Sequence, residues 1–305
     1  MFTAEQIQSL FGQPVIEYLQ NKNRGGINGE KGSTYENFYA LYQLAVLAKD
    51  VIELDRDATL YGQAFAFVDD LTIDRHDNPV LRNYQLKNSS TVTWGKGDKS
   101  IQDDFYKQKI LNDSISRESE ISLVVSNRDL QDRLSEKCPA SIRDFSQVLY
   151  FPYEKGLSQL LTKYPDLQES IEYLCAFEDP EIDKIECVAN VLLGAIVSSA
   201  RENLSVREIL EKAQSFSPSY IRSLSGTFTL DPQVAKILSN IKKFSYNTDR
   251  GFLHWDYGDG ILTGTVSHST DSEQFDKIQR LMKNANPTTF AEIQDFLLWL
   301  ENTPH

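Results

Sequence analysis

Within one short stretch of this chain, two carboxylates, an amide and an amine are spaced in a way that suits phosphodiester chemistry. Asp69 and Asp70 interrupt the apolar run AFAFVDDLTI, a polar turn DRHDNP follows, and VLRNYQLKN then carries Gln85 and Lys87 on either side of Leu86. Side chains alternate faces along a strand, so Gln85 and Lys87 share one face and Leu86 takes the other. A turn at Asp77–Asn78 sets Asp70 across from Gln85, and directly opposed residues of an antiparallel pair point to the same side. A carboxylate, an amide oxygen and an ammonium then converge on one patch. Oxygen ligands hold Mg²⁺, and an adjacent lysine can position the attacking water. Against this stands the plainer reading, that an isolated Asp…QxK recurs by chance on ordinary exposed strands.

The elements around this hairpin follow from periodicity. Ala4 to Gln20 predicts a first helix, and the Gly-rich, basic NKNRGGINGEKG predicts a flexible loop. Ser33 or Thr34 then caps a helix over Tyr35 to Lys49. Glu36 falls in its first turn, where the helix dipole favours a carboxylate, so it also reads as a terminus device. Val51 to Leu54 predicts a short strand, and Ala64 to Ile73 with Val80 to Asn88 the central hairpin. Ser89 to Lys99 reads as a loop. Beyond it come a helix over Ile101 to Asn112, a strand over Glu120 to Ser126, a helix over Asp129 to Glu136 and a strand over Gln147 to Phe151. The sum is an α/β layer with helices packed on a mixed sheet.

Past Pro152 the periodicity turns helical. Residues 1–155 and 156–305 therefore read as two domains, the second mainly helical. Val188 to Ser199 is apolar nearly all round and predicts a buried helix. Ser205 with Glu208 three residues on predicts a capped helix. A further helix over Pro232 to Lys243 precedes GFLHWDYGDGILTGTV, where Asp259-Gly260 signals a hairpin turn and the aromatics suit strand packing. A partner-facing aromatic surface around Trp255 is the alternative there.

Composition narrows the function classes. The three cysteines match no zinc spacing and, with only four histidines, argue against zinc chemistry and a disulfide framework. No apolar run is long enough to span a bilayer, and the N-terminus lacks a signal-peptide pattern, so a cytoplasmic location is expected. A net charge of −13 opposes unaided nucleic-acid binding. Basic residues nevertheless cluster at Lys22 to Lys31 and Lys96 to Lys109, and a bound cation would add positive charge at the scissile phosphate.

Taken together, RGGINGEKGSTYENFYALYQL, FVDDLTI, NYQLKNS and ISLVVSN resemble the Mrr-like branch of the PD-(D/E)xK nuclease superfamily. The likeness is to the double-strand DNA endonuclease domain of bacterial anti-phage effectors of the CBASS and Lamassu type, and it covers roughly residues 20 to 155. It implies a restriction-endonuclease-like fold and an Mg²⁺- or Mn²⁺-dependent DNA endonuclease. Asp70 and Glu36 would bind the metal, with Gln85 and the Leu86 carbonyl completing the shell, while Lys87 orients the water. Asp69 is a lesser candidate. Gln85 stands where the family often has Glu, and its neutral amide is a weaker cation ligand than a carboxylate. The resemblance also implies double-stranded DNA as substrate and control by a homo-oligomer or a sensor partner. A catalytically inactive DNA-binding or scaffolding subunit, and a pure interaction protein, are the rivals.

Overall fold

A computed structural model of the chain describes residues 2–26, 30–199, 203–225 and 230–298; for 23–26 and 30–33 it describes the backbone only. The fold is mixed α/β and divides into two compact units, 1–170 with 192–209 and 171–191 with 210–305. The first unit therefore extends past the expected junction at 155. Tyr164 is part of the reason: its ring packs at 5.4 Å from Tyr42 and 5.3 Å from Phe151.

Unit 1 opens with α1 (Ala4–Phe11) and α2 (Gln13–Gly26). The expected single helix breaks at Gly12, whose φ of 82° is outside the helical region. The capping box of Thr3 with Gln6 starts α1. No loop follows at Asn21: α2 runs on through Gly26, and α3 spans Glu30–Leu54. Ser33 and Thr34 thus lie inside a helix rather than capping one, Glu36 sits past the first turn, and Val51 to Leu54 is helix rather than strand. Residues 27–29 lie outside the described residues.

A five-stranded sheet follows in the order β1 (Ala58–Gly62), β2 (Leu71–Arg75), β3 (Val80–Lys87), β4 (Glu118–Val125), β5 (Ser146–Tyr150). The first three form an antiparallel meander and the last two add in parallel. The parallel connections carry α4 (Ile101–Asp113) and α5 (Arg128–Glu136), as crossovers of this length require. Ser100 caps α4 and Asn127 caps α5. The side of β3 that carries Tyr84 meets α3, where Tyr39 lies 5.3 Å from Tyr84. Asn83 and Gln85, on the opposite face, are buried polar residues, and Asn83 bonds to Asn112 of α4.

The expected strand over Ala64 to Ile73 forms only from Leu71. Residues 63–70 are instead a connection between β1 and β2 that dips into the core, burying Ala64, Ala66, Phe67 and Val68. Buried loop amides need partners. The Gln108 side-chain oxygen accepts from the Phe67 and Val68 N–H groups at 3.0 and 3.1 Å. A buried polar chain then runs from Gln108 through Asn112 and Asn83 to Thr72, every link at 2.9 Å. It ties α4 to the hairpin β2–β3 and holds the connection in place.

After α6 (Leu157–Lys163) and α7 (Pro165–Leu174), α8 (Ile182–Ser199) and α9 (Val206–Phe216) follow. The expected Ser205–Glu208 pairing is present in both directions. Residues 204 and 205 also continue the sheet edge, through a bridge from Ser205 to Thr59 and a bond from Leu60 N–H to the Leu204 carbonyl.

Unit 2 contains α10 (Pro232–Asn240), a three-stranded antiparallel sheet of β6 (Phe244–Asp249), β7 (Phe252–Tyr257) and β8 (Leu262–Thr265), then α11 (Glu273–Ala285) and α12 (Phe290–Leu297). Asp259 and Gly260 both take positive φ at the β7–β8 turn, as a tight hairpin asks. Trp255 is only 7% exposed and packs with Phe244 and Phe290. It is core, not a partner-facing surface. Among the described residues no helix is long and apolar enough to cross a membrane.

Candidate active site

The register of β2 on β3 pairs Leu71 with Tyr84 and Asp74 with Leu81. One step beyond the ladder, Asp70 stands opposite Gln85, as the turn at Asp77–Asn78 predicts. The ladder ends there because the Asp70 side chain takes over: its Oδ2 accepts the Leu86 N–H at 2.7 Å and a bond from Gln85 Nε2. Lys87 Nζ lies 4.0 Å from the same oxygen and is 38% exposed, so its ammonium faces outward beside Asp70.

Glu36 reaches the same place from α3. Its Oε2 accepts from Gln63 Nε2 at 2.7 Å, and Glu36, Gln63 and Asp70 line a small cavity of about 100 Å³ with Ile196, Asn203 and Leu204. Burial first, and the Asp70 charge second, push the Glu36 carboxyl up to about 7. Two carboxylates that strain against each other in a confined space are a donor set a hard divalent cation would relieve. Mg²⁺ commonly takes one or two carboxylates and keeps several waters, so Glu36 and Asp70 fit it. Among the described residues no group of three or more His, Cys, Asp or Glu side chains gathers for a metal.

Gln85 and Leu86 stand differently from expectation. Gln85 is 2% exposed, with its oxygen accepting from Lys22 Nζ at 3.1 Å and its nitrogen directed to Asp70. A lysine only donates and a carboxylate only accepts, so the amide between them can be oriented only this way. Gln85 thus presents N–H rather than an oxygen ligand toward Asp70. Leu86 likewise reaches Asp70 through its N–H, not its carbonyl.

Asp69 is drawn away from this centre into a buried charge cluster. Lys22 Nζ lies 3.2 Å from Asp69 Oδ1 and 3.1 Å from Asp104 Oδ2, and it also donates to the Phe67 carbonyl. Tyr18 adds a bond to Asp104 at 2.9 Å. Asp69 Oδ1 gains no aligned hydrogen bond, so its contact with Lys22 is an ion pair alone. Burial pulls the Lys22 ammonium down, but the Asp69 and Asp104 charges outweigh it and hold it protonated. Burial pushes Asp69 and Asp104 up, with Lys22 opposing. Lys22, Gln63, Asp104 and Gln108 escaped the sequence reading as site-builders. Lys22 looked like one more surface base of a basic run, and nothing in its spacing signals that α2 would carry it to Asp69.

The basic segments change meaning accordingly. Lys22 is internal, and the run from there to Lys31 otherwise lies outside the residues whose side chains are described. Lys107 and Lys109 pair along α4 with Asp103 and Asp113, each at 2.7 Å. No family model, no curated protein and no solved structure matches this chain.

Proposed function

We propose that this chain is a metal-dependent DNA endonuclease of the restriction-endonuclease-like fold. The observation that carries the reading is the meeting of Asp70, Lys87 and Glu36 at the end of the β2–β3 hairpin, with a raised Glu36 carboxyl in the shared cavity. Glu36 and Asp70 would hold Mg²⁺ or Mn²⁺. A cation bound there supplies Lewis-acid polarisation of the phosphodiester and a more acidic water. The chain's own groups do the rest. Lys87 offers an outward ammonium to a phosphate oxygen and stabilises the charge that develops on it. Gln85 and the Leu86 N–H fix the Asp70 carboxylate in one orientation. Glu36, whose carboxyl is raised by burial and the Asp70 charge, gains most from a cation that neutralises it.

An anti-phage effector role rests on the sequence resemblance, and so does activation by self-assembly or a sensor partner. A net charge of −13 supports such control, because the chain attracts DNA poorly by itself. The alternative is a nuclease-fold subunit that binds or scaffolds without cutting. The Gln85 amide favours it, since its turned oxygen leaves two carboxylates for a cation. Plasmid linearisation with Mg²⁺, across a concentration series of the full chain, tests the proposal. Wild type should cut, while Asp70→Ala and Lys87→Ala should not, with Lys87→Ala keeping its melting temperature. Cutting by Lys87→Ala at the wild-type rate would sink the assignment.

A further inference from the structure

The loop that leaves the candidate site builds a second feature. Ser89 to Lys99 alternates: Val92 and Trp94 are buried, Thr91 and Thr93 are exposed. Trp94 packs edge-on against Phe105 and donates its indole N–H to the Leu134 carbonyl at 2.9 Å. The loop is thereby pinned beside α5, and the two together enclose an open groove of about 820 Å³. Lys96, Arg133 and Lys137 line it, together with the Thr91 and Thr93 segments, and no acidic residue does. In a chain with 44 acidic and 31 basic residues, that is a local reversal of sign. Among the described residues none of the three cations is paired with a carboxylate. Arg133 makes one long bond, 3.5 Å, to the Ser90 carbonyl. Asp98 and Asp103 line a neighbouring depression, and Asp132 and Glu136, adjacent in sequence to Arg133 and Lys137, are exposed on α5 without lining the groove.

We propose that this groove is a nucleic-acid track: Lys96, Arg133 and Lys137 bind consecutive phosphates of the DNA strand that passes the Asp70–Lys87 centre. Cations and hydroxyls on rigid backbone suit phosphate oxygens, which supply affinity without base readout. Trp94 is buried and bonded, so it offers no stacking face, and contact is with the backbone. Thr93 follows Lys87 closely enough in sequence that an extended chain spans at most about 20 Å, or about six base-pair steps along a duplex. The groove therefore lies within reach of the same bound duplex. This inference rests on the nuclease reading for its substrate, and its test is kept separate from cleavage.

The experiment is fluorescence anisotropy of a short labelled duplex in EDTA, over a salt series, with the full chain. A triple variant, Lys96→Ala with Arg133→Ala and Lys137→Ala, should bind more weakly. Its slope of log affinity against log salt should be shallower by about 2.7, at about 0.9 per lost phosphate contact. A control neutralising Lys155, Lys236 and Lys242 should keep the wild-type slope. The three single variants, each expected to remove about a third of the effect, guard against misfolding of the triple. An unchanged slope in the triple, an equal loss in the control, or no binding by wild type would overturn the track. Plasmid cleavage is scored independently. A wild type that binds through the groove but never cuts refutes the nuclease and leaves the track standing. Cleavage with an unchanged slope does the reverse.

Discussion

Glu36→Gln isolates the electrostatic strain at the candidate site. The carboxyl of Glu36 is raised from 4.5 to about 7, chiefly by burial and then by the Asp70 charge. A raised acid in the folded chain binds its proton more tightly than in the unfolded one. Its contribution is thus intact below about pH 4.5, is lost as pH rises toward 7, and remains absent above. The full difference corresponds to about 3.4 kcal/mol at 1.36 kcal/mol per unit, and solvent reaching this partly open cavity cuts it to about 1–2 kcal/mol. Glutamine keeps the shape and removes the charge. The variant should therefore be about 1–2 kcal/mol more stable than wild type at pH 8 and equal to it or slightly weaker at pH 4.5. Urea denaturation at the two pH values reads this directly. Mg²⁺ adds the second arm: at pH 8 it should raise the wild-type melting temperature and barely move that of Glu36→Gln, because one of two anionic ligands is gone. A pH-independent difference between the two proteins would refute the strain argument. An equal Mg²⁺ shift in both would remove Glu36 from the cation site.

Lys22→Met leaves Asp69 and Asp104 buried without their countercharge, so unfolding free energy should fall by about 3–5 kcal/mol at neutral pH. The loss should shrink in acid as those carboxyls protonate, which urea titrations at two pH values would show. Gln108→Leu strips two buried amides of their acceptor and should cost about 2–5 kcal/mol. Hydrogen exchange should quicken at Phe67 and Val68 well before it does in β4, whereas uniform quickening would mean that Gln108 is no local anchor. Gly251→Ala would place a Cβ 2.1 Å from the Ser223 Cβ at a φ of +83°, so unit 2 should lose at least about 2 kcal/mol. An unchanged thermal transition in that variant would show that the β6–β7 turn yields.

The sequence by itself determined the β2–β3 hairpin and what it carries. A two-residue period and the polar Asp77–Asn78 turn are local properties, and they suffice to set Asp70 opposite Gln85 and to leave Lys87 on the same strand face. The capping of α9 by Ser205 and Glu208 was equally legible, because a cap and the amide it satisfies are close in sequence. The composition of 63–70 showed burial but not its form. Alternating apolar residues suggest a strand, and only the distant Gln108 oxygen, which takes the Phe67 and Val68 amides, makes a buried connection affordable there. Tertiary structure alone decided two further things: that α2 and α3 continue through segments that read as loop and strand, and that Lys22 meets Asp69, Asp104 and Gln85. Each depends on groups far apart in the chain. Local propensity is worth tenths of a kcal/mol per residue, and one buried charge or unpaired amide outweighs it.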